Sequence, residues 1–434
     1  MLKLRHAKAA GALGTVFLFV FLTFALLVFS EDVLRPEALL FGGILILLIL
    51  LAYCILLIAA PHADKLLMLA VFFLSALGMV LQYRLSSETA LRQLMMFSAG
   101  LVTMFVMLLF MRSPRFFRFM SIPMGVISIG ILVALLFIGK ESGGAKNWIS
   151  IGGILFQPSE FVKVALVFIL ADAMSDHTHL KELIPMFLFV GIVTVLLVLQ
   201  RDLGAAMLMI GSFLLVFFAA TSNIRATVTA ILIGAVGAFA SYHLFDHVQA
   251  RVAIWQDPWA TYSTSGYQIA QGLMAMASGG LWGLGLGQGS PKSIPAYHTD
   301  YVFAVICEEF GILFAIAVIV LYLLLVVRGI LIALNAKDRF SMLTAFGASA
   351  LLGMQTFVII GGVIKLIPLT GITMPFVSYG GSSMIACMAL IGILQGVAGR
   401  SGAAVDAELL AMETEDEEDG GSELPDAENE GDDL

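Results

Sequence analysis

The chain is dominated by apolar runs of near-membrane length that carry almost no charge. That feature decides the solvent. A helix needs about 20 apolar residues to cross a bilayer, and only helices and closed barrels satisfy their backbone polar groups there. Twelve such runs stand near residues 11–29, 38–60, 65–81, 93–111, 121–138, 158–174, 184–200, 203–220, 226–244, 301–327, 341–364 and 376–399. They are too long and continuous for barrel strands. Hydrophobic residues make up 60% of the chain and charged ones 12%, against about 25% charged in a soluble domain. Too little polar surface remains to cover a water-soluble fold. The expected fold class is therefore all-α, a polytopic membrane helix bundle of about 12 transmembrane helices.

The net charge of −8 is unevenly spread, since all Lys and Arg lie at or before Arg400 while 14 acids follow it. Residues 401–434 read as a disordered acidic tail. The short segment holding Arg112, Arg115 and Arg118 marks a cytoplasmic loop, and both termini then face the cytoplasm. The run 11–29 exceeds the ~7–15 residues of a cleavable signal core and reads as a retained helix. Cys54, Cys307 and Cys387 sit in apolar runs without ligand spacing. No basic run interleaved with aromatics suggests nucleic acid.

Two outer segments break the pattern, 139–157 and 245–300. The second is rich in Gly, Trp and Tyr, and its stretch 267–277 is apolar enough to lie in the interface or re-enter the bilayer. Ionisable side chains at membrane depth cost roughly 2.5–3.5 kcal/mol each on insertion scales, so each needs a partner or a task. Gln157, Glu160 and Lys163 share one helix face behind Pro158, as a structural ion pair or a polar groove. Arg201 and Asp202 stand at a helix junction, where a solvated cap is the simpler reading. Asp300 stands where the long outer segment meets a helix. Capping alone would explain it, but Lys292, His298, Glu308 and Glu309 crowd the same junction. Pro368 to Ser383 interrupts apolar sequence with two prolines and Gly380-Gly381 beside Ser378, Ser382 and Ser383. Such broken backbone is tolerated only against protein or a wet cavity. The glycines between Gly279 and Gly289 lack a surrounding βαβ unit, so they suit tight packing or backbone donors rather than a dinucleotide.

These residues, in this order, resemble the SEDS family (shape, elongation, division and sporulation), which includes RodA, FtsW and SpoVE. The outer segment carries Arg251, Trp255, Asp257-Pro258-Trp259, Gly266-Tyr267-Gln268, Gln271, the spaced glycines, Lys292, Pro295 and His298-Thr299-Asp300. Gln157-Pro158-Ser159-Glu160 with Lys163, Asp202-Leu203-Gly204, and Pro375-Phe376 to Ser383 resemble three further family motifs. The chain departs at Arg201, where the family usually has Pro, at Ile359, where Asn is common, and at Lys365, where Gly is common.

The resemblance implies a ten-helix core over 63–400, preceded by a two-helix extension over 1–62. It implies a peptidoglycan glycosyltransferase that polymerises lipid II into β-1,4 glycan chains at the outer face of the bacterial cytoplasmic membrane. A class B penicillin-binding protein, with other elongation or division proteins, is the implied partner. The family's essential carboxylate falls on Asp300. The expected chemistry is one inverting displacement with Asp300 as general base. Lys163, Arg251 and Lys292 would meet pyrophosphate, and Glu160 and Asp202 would position cations or sugar. Gln268, Gln271, His298, Ser378, Ser382 and Ser383 complete the expected substrate set. No metal-ligand spacing exists, though a Mg or Mn ion could bridge pyrophosphate to a carboxylate. The competing classes are a lipid II flippase or other polytopic transporter, and an inactive scaffold.

Overall fold

The computed structural model describes residues 2–29, 35–142, 144–151, 154–176 and 179–420. Its helices are α1 Leu2–Val28, α2 Glu37–Ala59, α3 Lys65–Leu85, α4 Ser87–Phe110, α5 Arg115–Ile138, α6 Pro158–Ser175 and α7 Ile184–Leu199. There follow α8 Leu203–Thr221, α9 Ile224–Leu244, α10 Asp246–Gln256, α11 Tyr267–Gly279, α12 Val302–Leu334, α13 Arg339–Val363 and α14 Gly381–Gly420. Among the described residues, ten helices are long and apolar enough to cross a membrane. Two more, α6 and α7, run between the same two ends. The charges Glu160, Lys163 and Asp172 reduce the apolarity of α6, and α7 has only 16 residues. The expected twelve-helix array is recovered in this way.

Three features add detail to the helical bundle. Segment 139–157 forms a small antiparallel sheet of β1 Lys140–Ser142, β2 Ala145–Ile151 and β3 Ile154–Phe156. Trp148, Ile149 and Ile151 are aromatic and β-branched residues that favour a strand. The long outer segment carries two helices, α10 as well as the anticipated α11. Helical backbone also continues past residue 401 to Gly420, because Ala, Glu, Leu and Met there are strong helix formers. Residues 421–434 of the expected tail lie outside the described residues.

Successive helices alternate direction, so the joins at 86, 139–157, 200–202, 245–301 and 364–380 share one end. Polar side chains start helices at both ends. Asp64, Ser86, Asp202, Asn223 and Asp338 each accept a hydrogen bond from a first-turn N–H, as the dipole and the orphan donors favour. The opposite end is pinned by charge. Arg328 Nε donates to Asp64 Oδ2 at 2.8 Å, the Asp64 N–H and C=O bond Gln395, Arg118 pairs with Asp172 and Asp176, and Arg400 pairs with Asp338. Helices α3, α13 and α14 form the buried centre, whereas no part of the apolar window of α9 is buried.

The 33-residue α12 is kinked at Gly311, whose φ is 83° and ψ 168°. A kink strands backbone groups that lipid cannot satisfy. The Gly-rich stretch meets them: Leu284 and Gly285 donate to the carbonyls of Glu308 and Glu309, and Ile312 and Leu313 donate to Gly280 and Leu281. Glycine is required for this approach. A Cβ on Gly283 (φ +81°) would lie 2.3 Å from the Glu309 carbonyl oxygen.

Candidate active site at one end of the bundle

Asp300 is placed by a tight turn. Its N–H and that of Tyr301 both donate to the carbonyl of Ala296, which holds a left-handed φ of 55°. Tyr301 is fully buried and anchors the turn, its ring lying where a Cβ on Gly272 of α11 would come within 2.3 Å. The Asp300 carboxyl is set deep among protein atoms yet keeps part of its surface accessible. Burial raises it from an ordinary 3.8 to about 6, against the opposing pull of the Thr299 hydroxyl and the Arg251 guanidinium. Gly371 borders Asp300 closely: a Cβ there would stand 3.4 Å from Asp300 Oδ2.

Arg251 comes from α10. Its Nη1 donates to the carbonyls of Leu369 and Thr370 at 3.2 and 3.0 Å. Burial lowers its basicity, while Asp202 and Asp300 both act to restore it. The guanidinium thus stands in the field of both carboxylates. Trp255 Nε1 donates to the Lys365 carbonyl at 3.1 Å and Lys365 Nζ to the Gln256 carbonyl at 3.3 Å, fastening α10 to the loop 364–380. Lys365 takes φ +62° to do so, the backbone region for which glycine is the default.

Asp202 does more than cap α8. Besides Ala205 N at 3.0 Å, it accepts Asn147 Nδ2 at 2.6 Å and weaker bonds from Gln157 and Ser159 at 3.4 Å. It therefore ties β2, α6 and α8 into one frame. Beside it lies a second network. Lys163 Nζ is 2.8 Å from Glu160 Oε2 and donates to Gln355 Oε1 at 3.2 Å. Gln355 Nε2 donates to the Thr373 carbonyl at 2.9 Å and to Ser383 Oγ at 3.3 Å. Lys163 is only 2% exposed. The Lys163 charge is met by Glu160 and Gln355, as a buried charge requires, and the network links α6, α13 and α14.

Of the remaining sequence candidates, Ser382 Oγ accepts Gln157 N at 3.1 Å, and Ser378 Oγ donates to the Thr299 carbonyl at 2.6 Å while accepting Met374 N. Ser378 thereby steadies the Asp300 turn. The His298 carbonyl accepts from Gln82 and from Tyr379 N, its ring lies against Tyr297 and Tyr379, and burial lowers its basicity. Gln268 and Gln271 make local bonds to the Pro295 carbonyl and the Tyr262 hydroxyl. Lys292 is exposed on the turn Pro291–Ser293. The structure brings Asp202, Arg251 and Asp300 together, and Glu160, Lys163 and Ser383. Gln268 and Gln271 bond within the outer segment itself, and Lys292 is exposed on its turn.

Glu308 and Glu309 belong to the frame. Glu308 accepts Ser290 N at 3.0 Å and Glu309 accepts Gly287 N at 3.2 Å, with Arg84 Nε 3.3 Å from Glu309. Sequence reasoning missed Arg84, Asn147, Gln355 and Gln93, which bonds Ser378 O and Gly380 N. For Gln93 and Gln355 polarity inside apolar runs was the available signal; Arg84 and Asn147 carried none. Among the described residues no three His, Cys, Asp or Glu side chains converge on a metal position. A divalent ion here would be held by one carboxylate with substrate phosphate oxygens and water, the usual arrangement for magnesium.

The cell cycle protein family of FtsW, RodA and SpoVE matches residues 56–402. The peptidoglycan glycosyltransferase RodA of Mycobacterium tuberculosis is 34% identical over 364 residues, which span 77% of this chain and 78% of that protein. Stage V sporulation protein E of Bacillus subtilis is 32% identical over 356 residues, 77% of this chain and 96% of that protein. A chain from a peptidoglycan synthase complex that coordinates polymerisation and crosslinking superposes with a TM-score of 0.68 at 28% identity, covering 77% of this chain and 97% of that one. The rod shape determining protein RodA of Thermus thermophilus superposes at 0.59 with 28% identity, covering 77% and 96%.

Proposed function

This chain belongs to the FtsW, RodA and SpoVE family of cell cycle proteins, and on that premise we propose that it is a membrane-embedded peptidoglycan glycosyltransferase that polymerises lipid II. The observation that carries the reading is Asp300: a recessed, partly accessible carboxyl raised to about 6 beside the Arg251 guanidinium. A base with that affinity is largely ionised at neutral pH yet takes up a proton readily.

In this reading Asp300 removes the proton from the acceptor sugar hydroxyl as its oxygen forms a bond to the anomeric carbon of the lipid-linked donor. The bond from that carbon to the pyrophosphate oxygen breaks, and the pyrophosphate leaves with the electron pair. An α-linked donor gives a β linkage, so one displacement suffices. Arg251 offsets the charge of the departing pyrophosphate. Lys163 is sealed in its ion pair, so its part is to fix the helix frame, with Glu160 and Gln355. Asp202 orients Arg251 electrostatically from the opposite side. Lys292 lies outside this set.

Gathering of the polar site groups at one end, with ion pairs pinning the other, favours an enzyme working at one face over a carrier with a path through the bundle. The dense basic loop Arg112–Arg118 supports a cytoplasmic location for that other end, and the proposed orientation has both termini in the cytoplasm and Asp300 facing outward. A class B penicillin-binding protein is the proposed partner. The region 1–62 is proposed as an accessory hairpin, lying mostly ahead of the matched core. The test is purified protein with labelled lipid II, scored for glycan chains. The wild type forms chains and Asp300→Ala does not while remaining folded; chains from Asp300→Ala would overturn the assignment.

A further inference from the structure

The cavity between the α7–α8 junction and the start of α10 is not used by the mechanism above. It measures about 580 Å³ and is lined by Leu199, Arg201, Leu244, Phe245, Asp246, His247 and Ala250. Its wall is of two kinds. Leu199, Leu244 and Phe245 are apolar, and on α9, which ends at Leu244, Ile231, Leu232, Val236 and Phe239 are exposed. Arg201 and His247 supply the polar side, and Arg251 is near enough to act on His247 electrostatically. His247 Nε2 is buried without a hydrogen-bond partner.

Arg201 has no strong local task. Its carboxylate neighbour Glu141 is 3.8 Å away, and both side chains are more than half exposed, a separation at which a surface pair contributes little. Asp246, the other acid at the cavity, is exposed in the first turn of α10. Yet Arg201 occupies the left-handed position that ends α7, with φ 63°, where glycine is the default. A proline cannot adopt that φ. The left-handed turn delivers the Arg201 guanidinium to the cavity mouth.

We propose that this cavity is a headgroup subsite for a polyprenyl pyrophosphate, with Arg201 and His247 holding the phosphates and the apolar face of α9 receiving the chain. The wall chemistry matches an anion tethered to a long apolar tail at the membrane surface. The position beside Arg251 makes it a holding place one step from Asp300. The subsite deepens the glycosyl-transfer reading and rests on it.

The probe is a sugar-free polyprenyl pyrophosphate, radiolabelled, bound to the full chain in phosphatidylcholine nanodiscs. Arg201→Gly keeps the left-handed backbone and removes the guanidinium; His247→Asn removes the ring and keeps a polar group. Each variant is expected to weaken binding about fivefold and to raise the KM for lipid II more than it lowers kcat. Binding equal to wild type in both variants overturns the subsite while leaving the enzyme reading intact. Absence of glycan chains from the wild-type protein with labelled lipid II would instead defeat the enzyme reading, whatever the binding result. Displacement of the probe by phosphatidylglycerol as effectively as by unlabelled carrier also overturns the proposal, since the cavity would then be a general phospholipid site.

Discussion

Replacing Asp300 by Asn should abolish chain growth and, at neutral pH, make the protein harder to unfold. The carboxyl is raised from 3.8 to about 6 mainly by burial, so the folded state binds its proton more tightly than the unfolded chain does. For an acid shifted upward, the associated stability is fully present below the unfolded value and is lost as pH rises through the folded one. At pH 7.5 the native protein therefore carries a destabilising charge at this position. The gap of roughly two pH units, at about 1.4 kcal/mol each, sets an upper bound near 3 kcal/mol. The partial exposure of Asp300 and its Arg251 neighbour make ~1–2 kcal/mol the working figure. Asparagine keeps the shape without the charge. Thermal unfolding of purified protein in detergent, wild type against Asp300→Asn, should show the variant more stable at pH 7.5 and the two converging by about pH 3, where Asp300 is protonated in both the folded and the unfolded chain. The wild-type rate should have an acid limb near pH 6, with about a tenth of full activity at pH 5. A variant no more stable at pH 7.5, a gain that persists undiminished at pH 3, or an acid limb near 4 would refute the argument.

Arg251→Gln should move the acid limb above 6, because the guanidinium now draws the carboxyl downward; a pH–rate profile reads the shift, and it should raise the KM for lipid II as well. Lys163→Met leaves Glu160 buried and uncompensated, which should cost about 3–5 kcal/mol, and Lys163→Met with Glu160→Gln should recover most of it in thermal unfolding. Gly283→Ala forces a Cβ to within 2.3 Å of the Glu309 carbonyl oxygen, so the protein should unfold well below wild type by the same measurement. Truncation after residue 405 should leave glycan synthesis intact, since every site group named above lies before it; loss of polymer would assign the tail a role.

The number of helices was legible because lipid imposes simple rules, whereas Asp300 as the residue to test came from the resemblance of the outer segment to the SEDS family. Spanning runs must be long and apolar, and a charge among them stands out by cost. The roles of the other charges were not legible. Lys163 and Lys292 look equally available as cations in the sequence, yet one is locked against Glu160 and Gln355 and the other is exposed on a turn. Arg84 and Asn147 gave no sign of their importance, because their partners, Glu309 and Asp202, lie far along the chain.

What the sequence by itself determined is the solvent, the helical class, the count of crossings and the clustering of polar residues near one set of joins, all of which follow from local composition along a chain that must hide its backbone in lipid. What only the tertiary structure decided is pairing. The kink at Gly311 is satisfied by a glycine-rich stretch some 30 residues earlier, and Arg251 stands between Asp202 and Asp300 only because α10 folds back over the loop 364–380. Electrostatic and hydrogen-bond partners are chosen by proximity in space, and in a bundle of alternating helices that proximity is set by how the helices pack rather than by distance along the chain.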